Sequence, residues 1–398
     1  MQRNDYDMII IGGGISGLAT AHYCRKAGER ALLLEAADRL GGCIRTHTLS
    51  GYGARFWLEL GTHTCFNSYG RLLAMLSELG LLGELQKRER LPYRLFTRDG
   101  IVSIWPLIHF GELIMNLPRR FSLPKEGRTV ADYYRALLGP RNYGLIFGPA
   151  FNAVICQRAA EVPASMLFRK RPRDRSVLRS FTFADGLQAL VERLAQQCDV
   201  RLQSPVQRIE RVESGWRVVT DNGEFTARRL TLATPVAAAS QLLRTTLPEI
   251  SAELAAIGEV EVESVGVVIK RELLNLDRIA GIIAQEDLFW SVVSRDVVGH
   301  PRVRGLTFHF KPGALGDEAK LKRIGSVLGI DRMRFSDVVF KTNRLPVPRL
   351  GHDRRIAAID RLLADQPLAL TGNYFAGVAI EDCLERTENE FSRLRALA

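Results

Sequence analysis

The sequence predicts an α/β fold, a doubly wound parallel sheet interleaved with a second, α+β unit. Three observations predict it. Near the N-terminus a β-branched run ends in glycine, a helical stretch follows, and a second apolar strand closes a βαβ unit of about thirty residues. A buried strand returns at 230–233 and a further strand at 368–370, and no flexible linker divides the chain, so interleaved domains are expected. Finally, 398 residues with 46% hydrophobic and 25% charged content can bury a large core, and two domains are expected.

Residues 6–12 read as a fully buried parallel strand. Residues 15–27 have helical spacing, with Ile15, Leu18, Ala19 and Tyr23 among the apolar positions, and Gly28 stops the helix. Arg30 to Leu34 form the second strand. A helix is expected over 71–90, and residues 91–170 are assigned mainly to helices of a second domain. Another amphipathic helix covers 186–198. A meander follows at 200–202, 206–212 and 216–220, with Asp221-Asn222-Gly223 as its hairpin turn. Strand alternation returns over 260–270 and again within 280–310, and a helix starts near Ala379. No internal repeat or flexible linker separates these parts.

Composition narrows the classes of function. The six cysteines are scattered, without a CxxC pair or zinc-like spacing, so a metal site and a dithiol motif are not expected. Residues 1–7 lack a signal-peptide pattern, and no apolar run approaches the ~20 residues of a membrane span. The nearest run, Ile104 to Leu117, is broken by Pro106, His109 and Glu112. A cytoplasmic protein is expected. The net charge is +11, and its densest cluster, Arg169 to Arg175, lacks the pattern of a nucleic-acid module. It reads first as a solvated loop and second as a basic patch for an anionic membrane or substrate.

Gly12-Gly13-Gly14-Ile15-Ser16-Gly17 fits G-x-G-x-x-G. Glycine is common, so the pattern alone is weak; its place between a buried strand and a helix makes it strong. Gly12 permits the tight turn, Gly14 admits a pyrophosphate to the backbone, and Gly17 lets helix and strand pack closely. The free N–H groups of the helix start, at Ile15 and Ser16, suit an anion. Glu35 closes the second strand eighteen residues after Gly17, where a carboxylate can hold a ribose. The expectation is a Rossmann-like dinucleotide site.

The next residues separate the possible dinucleotides. Glu35-Ala36-Ala-Asp-Arg39-Leu-Gly41-Gly42-Cys43-Ile-Arg-Thr46 resembles the extended signature of the FAD-dependent amine oxidase and protoporphyrinogen oxidase superfamily, with Cys43 where many relatives carry a basic residue. Leu58-Glu-Leu-Gly61-Thr62-His63 is similar to that family's segment near the flavin, with Thr62 in place of its usual proline. Phe183 to Leu190, Val206 to Ile209 and Leu232-Ala-Thr-Pro235 extend the resemblance. Leu370-Thr-Gly372-Asn-Tyr-Phe-Ala-Gly377-Val378-Ala379-Ile-Glu-Asp382-Cys383 is similar to the last motif of protoporphyrinogen oxidases, although the family's Ser-Gly after this point is absent.

The resemblance implies FAD as cofactor. It places Arg39, Gly41, Gly42 and Thr46 by the nucleotide, and the Val206 backbone at the adenine. Gly61, Thr62, Gly372, Val378 and Ala379 fall near the flavin ring. It also divides the chain into an FAD-binding domain at 1–75, 181–240 and 345–398, and a substrate domain at 76–180 and 241–344.

Two side chains are candidates for a protein base. His63 stands beside the reading of a structural histidine, and Lys341 beside that of a solvated lysine; no catalytic residue is assigned. Three functions follow from the resemblance. The first is a protoporphyrinogen oxidase-like oxidoreductase passing a hydride from a small organic substrate to flavin N5. The second is an amine oxidase or desaturase on the same scaffold, and the third a non-redox flavoenzyme like the UDP-sugar mutases. A small-molecule substrate and peripheral contact with an anionic membrane are the expected partners, without nucleic acid.

Overall fold

The computed structural model describes residues 5–52 and 55–397. The reading of the first four residues lies outside them.

Strand β1 (Tyr6–Ile11) feeds helix α1 (Ile15–Lys26), which returns to β2 (Ala31–Leu34). A hairpin of β3 (Thr46–Leu49) and β4 (Phe56–Glu59) follows, then β5 (Cys65–Phe66) and α2 (Gly70–Glu78). The helix expected over 71–90 therefore ends early. Gly80 adopts φ +70°, and Leu85–Lys87 leaves as strand β6 to pair with a later strand.

The stretch expected to be mainly helical opens instead with a hairpin, β7 (Tyr93–Thr97) and β8 (Gly100–Ser103). Its Asp99-Gly100 turn is a hairpin signal that the sequence reading passed over. Helices then follow: α3 (Phe110–Asn116), α4 (Val130–Leu138), the short α5 (Pro140–Asn142) and α6 (Gly148–Ile155). Strand β9 (Ser180–Phe183) and α7 (Gln188–Ala195) lead to β10 (Asp199–Arg201). This last strand pairs parallel with β2, so it belongs to the main sheet and not to the meander. The meander itself is β11 (Val206–Val212), β12 (Gly215–Thr220) and β13 (Gly223–Leu232), turning at Asp221-Asn222.

Helices α8 (Val236–Leu243) and α9 (Pro248–Ala255) precede a second set of strands. These are β14 (Gly258–Lys270), β15 (Gly281–Ala284), β16 (Phe289–Ser294) and β17 (Val303–Phe310), with β18 (Phe335–Val347) beyond α10 (Asp317–Leu328). The chain closes with α11 (His352–Leu363), β19 (Leu368–Leu370) and α12 (Ile380–Ala396).

Two large sheets result. In the first, β10, β2, β1, β13 and β19 lie parallel, and β12 and β11 extend it antiparallel. Its central strands, β1, β2 and β19, are buried on both faces. Met8, Ile10 and Leu33 pack toward α1, α2, α7 and α12, while Ile9, Ile11 and Leu32 pack toward α8, α9 and α11. The second sheet runs β18-β14-β17-β16-β15-β7-β8 and is mostly antiparallel; its core of valine, isoleucine and phenylalanine packs under α10. The β3–β4 hairpin lies against this sheet. A side chain on Gly266 or Gly305 would collide with Leu58, at 2.8 and 2.3 Å, so glycine there lets the hairpin settle directly on the strands.

Among the described residues no helix is long and apolar enough to cross a membrane, and no group of three or more His, Cys, Asp or Glu side chains is arranged to hold a metal.

Candidate functional site

The C-terminal ends of β1, β13 and β19 meet at one crevice. Gly12 takes φ +105°, and a Cβ there would lie 2.6 Å from the Ala233 carbonyl oxygen. A Cβ on Gly17 would lie 1.9 Å from the Gly12 carbonyl oxygen, which explains the need for glycine where α1 crosses β1. Gly14 differs. Its φ of −74° suits any residue, and a Cβ there would meet no protein atom within 4 Å. The backbone at Gly14 therefore faces open space. Helix α1 begins here with no side-chain cap and no acidic residue in its first turn, so its first N–H groups and dipole point outward unanswered.

The neighbouring elements close around this point. The Gly41 amide donates to the Gly13 carbonyl at 2.8 Å, and a Cβ on Gly42 would sit 3.3 Å from the Gly14 Cα. Glu35 stands at the tip of β2 and accepts hydrogen bonds from the amides of Gly13 (2.7 Å) and Ala37 (2.9 Å), while Ala36 is exposed beside it. The amides of Gln203 and Ser204 reach the carbonyls of Ala37 and Glu35, which brings Val206 to the same rim. Arg39 donates to the Ile44 carbonyl (3.0 Å) and to Gln188 Oε1 (2.7 Å); burial and the nearby Arg45 charge lower its pKa. The Nε of Arg45 and the hydroxyl of Thr234 are buried without a protein partner.

Thr46 is turned inward. Its hydroxyl donates to Glu59 Oε2 (2.9 Å) and accepts from the Gln188 amide (3.0 Å), while Glu59 Oε1 accepts from the Leu187 amide (2.8 Å). Thr46 and Glu59 thus hold the start of α7. Burial pushes the Glu59 carboxyl up to about 7 against the lowering effect of these bonds and of Arg88 and Arg295.

On the far side, Gly377-Val378-Ala379 turns into α12. Asp382 accepts a hydrogen bond from the Ala379 amide at 3.3 Å and is ion-paired with Arg169 (3.0 Å) and Arg171. The basic run expected to be a solvated loop is therefore partly a clamp on α12. The first turns of α1 and α12 adjoin: Ser16 bonds to the Cys383 thiol, and burial is the main cause that pushes that thiol up to about 12. Gly372 sits at the end of β19, where a Cβ would come 2.8 Å from the Tyr374 ring.

Between the crevice and the second sheet lies the loop Gly61-Thr62-His63. Thr62 N–H donates to the Cys43 carbonyl (3.1 Å), and Asn343 Nδ2 donates to the Leu60 carbonyl (2.8 Å). The strand register sets four polar side chains in one transverse row: Lys341 on β18, Ser264 on β14, His309 on β17 and Ser291 on β16. Ser264 Oγ and His309 Nδ1 are 2.9 Å apart. His63 hydrogen-bonds Thr64 (2.7 Å), and its pKa falls to about 3 through burial, then the charges of Arg88 and His309. Burial alone takes His309 to about 4. Both rings are neutral near pH 7. His352 bonds the Tyr374 carbonyl at 2.7 Å.

Sequence reasoning missed Ser264, His309 and Asn343, because only the pairing of strands far apart in the chain aligns them. Thr234 carried a visible signal, its place at the end of a buried strand. A separate cavity of about 500 Å³ lies behind α1, α2 and α12, lined largely by charges paired with one another, as in Arg71–Glu388 and Lys26–Glu78.

Comparison with known proteins agrees with this geometry. Residues 10–79 match the NAD(P)-binding Rossmann-like domain, and residues 163–271 match the flavin-containing amine oxidoreductases. The chain is similar to the flavin-containing amine oxidase superfamily in these two segments. A structure from Exiguobacterium sp. 255-15, described as that of a candidate protoporphyrinogen oxidase, superposes over 100% of both chains with TM-score 0.81 at 20% identity. Cyclohexylamine oxidase from Brevibacterium oxydans IH-35A superposes over 98% of this chain and 99% of its own, with TM-score 0.73 at 16% identity. At these identities the likeness is one of fold.

Among curated proteins, 15-cis-phytoene desaturase of Arabidopsis thaliana is 39% identical over 82 residues. Human flavin-containing amine oxidase B is 38% identical over 78 residues. The matched segments cover 21% and 20% of this chain and only 14% of either relative.

FAD is the cofactor of the superfamily, and the crevice fits it. The open backbone at Gly14, the uncapped start of α1 and the unpartnered Arg45 Nε and Thr234 hydroxyl suit a diphosphate, and Glu35 stands where a ribose would lie.

Proposed function

We propose that this chain is an FAD-dependent oxidoreductase acting on a small organic substrate, in the manner of the protoporphyrinogen oxidases. The observation that carries the reading is the open backbone at Gly14 beneath an uncapped helix start. Bound FAD would supply the two-electron acceptor, taking a hydride at ring atom N5.

The chain's own residues then bind and orient. Gly12, Gly14, Ile15, Ser16 and Gly17 form the diphosphate turn, and Glu35 with Ala36 holds the ribose. Arg39, Gly41 and Gly42 wall the nucleotide, Val206 meets the adenine, and Thr46 acts through the start of α7. Gly61, Thr62, Gly372, Val378 and Ala379 line the ring. Residues 1–75, 181–240 and 345–398 form the cofactor-binding unit in this reading, and the remainder the substrate unit.

The row Lys341–Ser264–His309–Ser291 is the surface against which the substrate is oriented. A group with a pKa of about 3 holds a proton too weakly to serve as a base near neutrality, so His63 acts as a neutral hydrogen-bonding residue. Lys341 is the remaining candidate for a proton-handling side chain.

The test is an anaerobic screen of the purified protein. FAD is expected in the supernatant after denaturation, and a porphyrinogen is expected to bleach the oxidised flavin band, which oxygen then restores. Bleaching by amines alone would move the substrate class to the amine oxidases, and turnover only after pre-reduction would indicate a mutase. A folded, colourless protein that takes up no FAD overturns the proposal.

A further inference from the structure

A second cavity, of about 300 Å³, opens where α6 lies over β15 and β16, and it shares no residue with the nucleotide crevice. Arg158, just beyond α6, and Lys311, just beyond β17, bring positive charge to it, and Trp290, Phe289 and Ala284 wall it. Three of these groups lack the partner that their chemistry calls for. The Trp290 indole Nε1 is buried with no hydrogen-bond acceptor. The Lys311 ammonium sits 4.6 Å from the centre of the Trp290 ring. The ion pairs at this cavity are Asp287–Arg323 and Glu286–Arg98; among the described residues neither Lys311 nor Arg158 has one.

Charge and shape decide what the cavity takes. Asp287 is committed, accepting hydrogen bonds from Arg323 Nε (3.2 Å) and from the Leu288 amide (2.7 Å). Glu286 is exposed and meets Arg98 only at 3.8 Å, so it offsets part of one positive charge. Lys311 feels the imbalance: burial first, then the Arg158 charge, lowers its pKa against the raising effect of Asp287 and Glu286. One added negative charge balances the group, and a phosphate dianion would overshoot it. A carboxylate brings that single charge on a planar fork that matches a guanidinium and offers an acceptor to the indole N–H. The apolar walls suit its carbon skeleton. The cavity also adjoins the polar row, since Trp290 precedes Ser291 on β16 and Lys311 lies two residues beyond His309.

We propose that this cavity binds a small carboxylate, paired with Arg158 and Lys311 and held by a hydrogen bond from Trp290 Nε1–H. The group comes from one of two sources, a free organic acid bound as a separate ligand or the acidic end of the substrate. The site itself does not rest on the redox reading above; only the second source does.

Titration of the purified 398-residue chain with benzoate tests it, with benzamide as the uncharged control. Benzoate is expected to bind saturably, to change the tryptophan fluorescence, and to bind at least about ten-fold more tightly than benzamide. Lys311→Met and Arg158→Gln should each weaken benzoate about five-fold or more without moving thermal unfolding, since neither side chain is ion-paired in the free protein. Trp290→Phe should abolish the fluorescence change and weaken binding about three-fold or more, read by calorimetry. Failure of the parent chain to bind benzoate overturns the proposal, as does equal binding of benzamide or unchanged benzoate affinity in either K311M or R158Q. The anaerobic bleaching assay separates the sources. Competition between benzoate and a bleaching substrate, with a half-saturating concentration about ten-fold higher in R158Q, puts the carboxylate on the substrate. Bleaching that saturating benzoate leaves unchanged makes the ligand a separate acid. A chain that binds benzoate yet bleaches with no substrate refutes the redox reading and supports the carboxylate site.

Discussion

Gly14 and Gly17 lie on one turn, yet an added methyl group meets opposite surroundings at the two positions. At Gly17 it would press into the Gly12 carbonyl at 1.9 Å; at Gly14 it would enter open space. Gly17→Ala should therefore cost stability with or without cofactor, by about 1–3 kcal/mol or more, read in a denaturant titration. Gly14→Ala should leave the cofactor-free protein within about 0.5 kcal/mol of the parent. It should still lower FAD affinity at least about ten-fold, measured by flavin fluorescence, because the methyl group takes the place of the diphosphate. If G14A binds FAD as tightly as the parent, the crevice is not the nucleotide site. Both glycines are legible in the sequence because the motif's mechanics are local.

Glu59 is not legible in that way, since its partners Leu187 and Arg88 come from other parts of the chain. Its folded pKa of about 7 lies above its ordinary value of 4.5, so the native state binds more protons than the unfolded chain between these limits. Glu59 thus contributes stability that is present below about pH 4.5 and is lost as pH rises through about 7. Glu59→Gln should flatten that decline, which thermal unfolding across the same pH range would detect.

Among the elements, α12 shows how a distant segment sets a helix in place. Arg169 and Arg171 reach Asp382 across more than two hundred residues, and Asp382 in turn holds the Ala379 amide. The local composition of 169–175 reads as a solvated basic loop, and nothing nearby signals the carboxylate it meets. Asp382 is 5% exposed, so weakening its ion pairs leaves a buried charge short of partners. Arg171→Gln should lower stability by about 1–3 kcal/mol and shift the visible band of the bound flavin, while an unchanged spectrum would separate the clamp from the cofactor. The helices and strands with strong periodicity were legible: β1, α1, β2 and the Asp221-Asn222-Gly223 turn. The end of α2 was not, because the apolar residues at 81–85 continue the helical pattern after Gly80 has stopped the helix.

At the scale of the molecule, the sequence disclosed the parallel sheet and its interruption, because fully buried strands have a distinctive run of apolar residues. It disclosed far less of the second sheet. There β14 and β18 pair along their length and align Ser264 with Lys341, a register that no single segment encodes. The neutral histidines His63 and His309 belong to the same class: each is ordinary alone, and burial in the folded chain keeps both unprotonated.

The parallel sheet also has an order of assembly written into it. β1 is made before its neighbour β13, which arrives more than two hundred residues later, and β19 and α12 follow both. During synthesis, the opening βαβ unit must wait beside an unfilled edge until the chain returns to it. Cofactor capture is then a late event, and a nascent chain stalled before α12 would hold a phosphate turn with nothing yet to close over the ring.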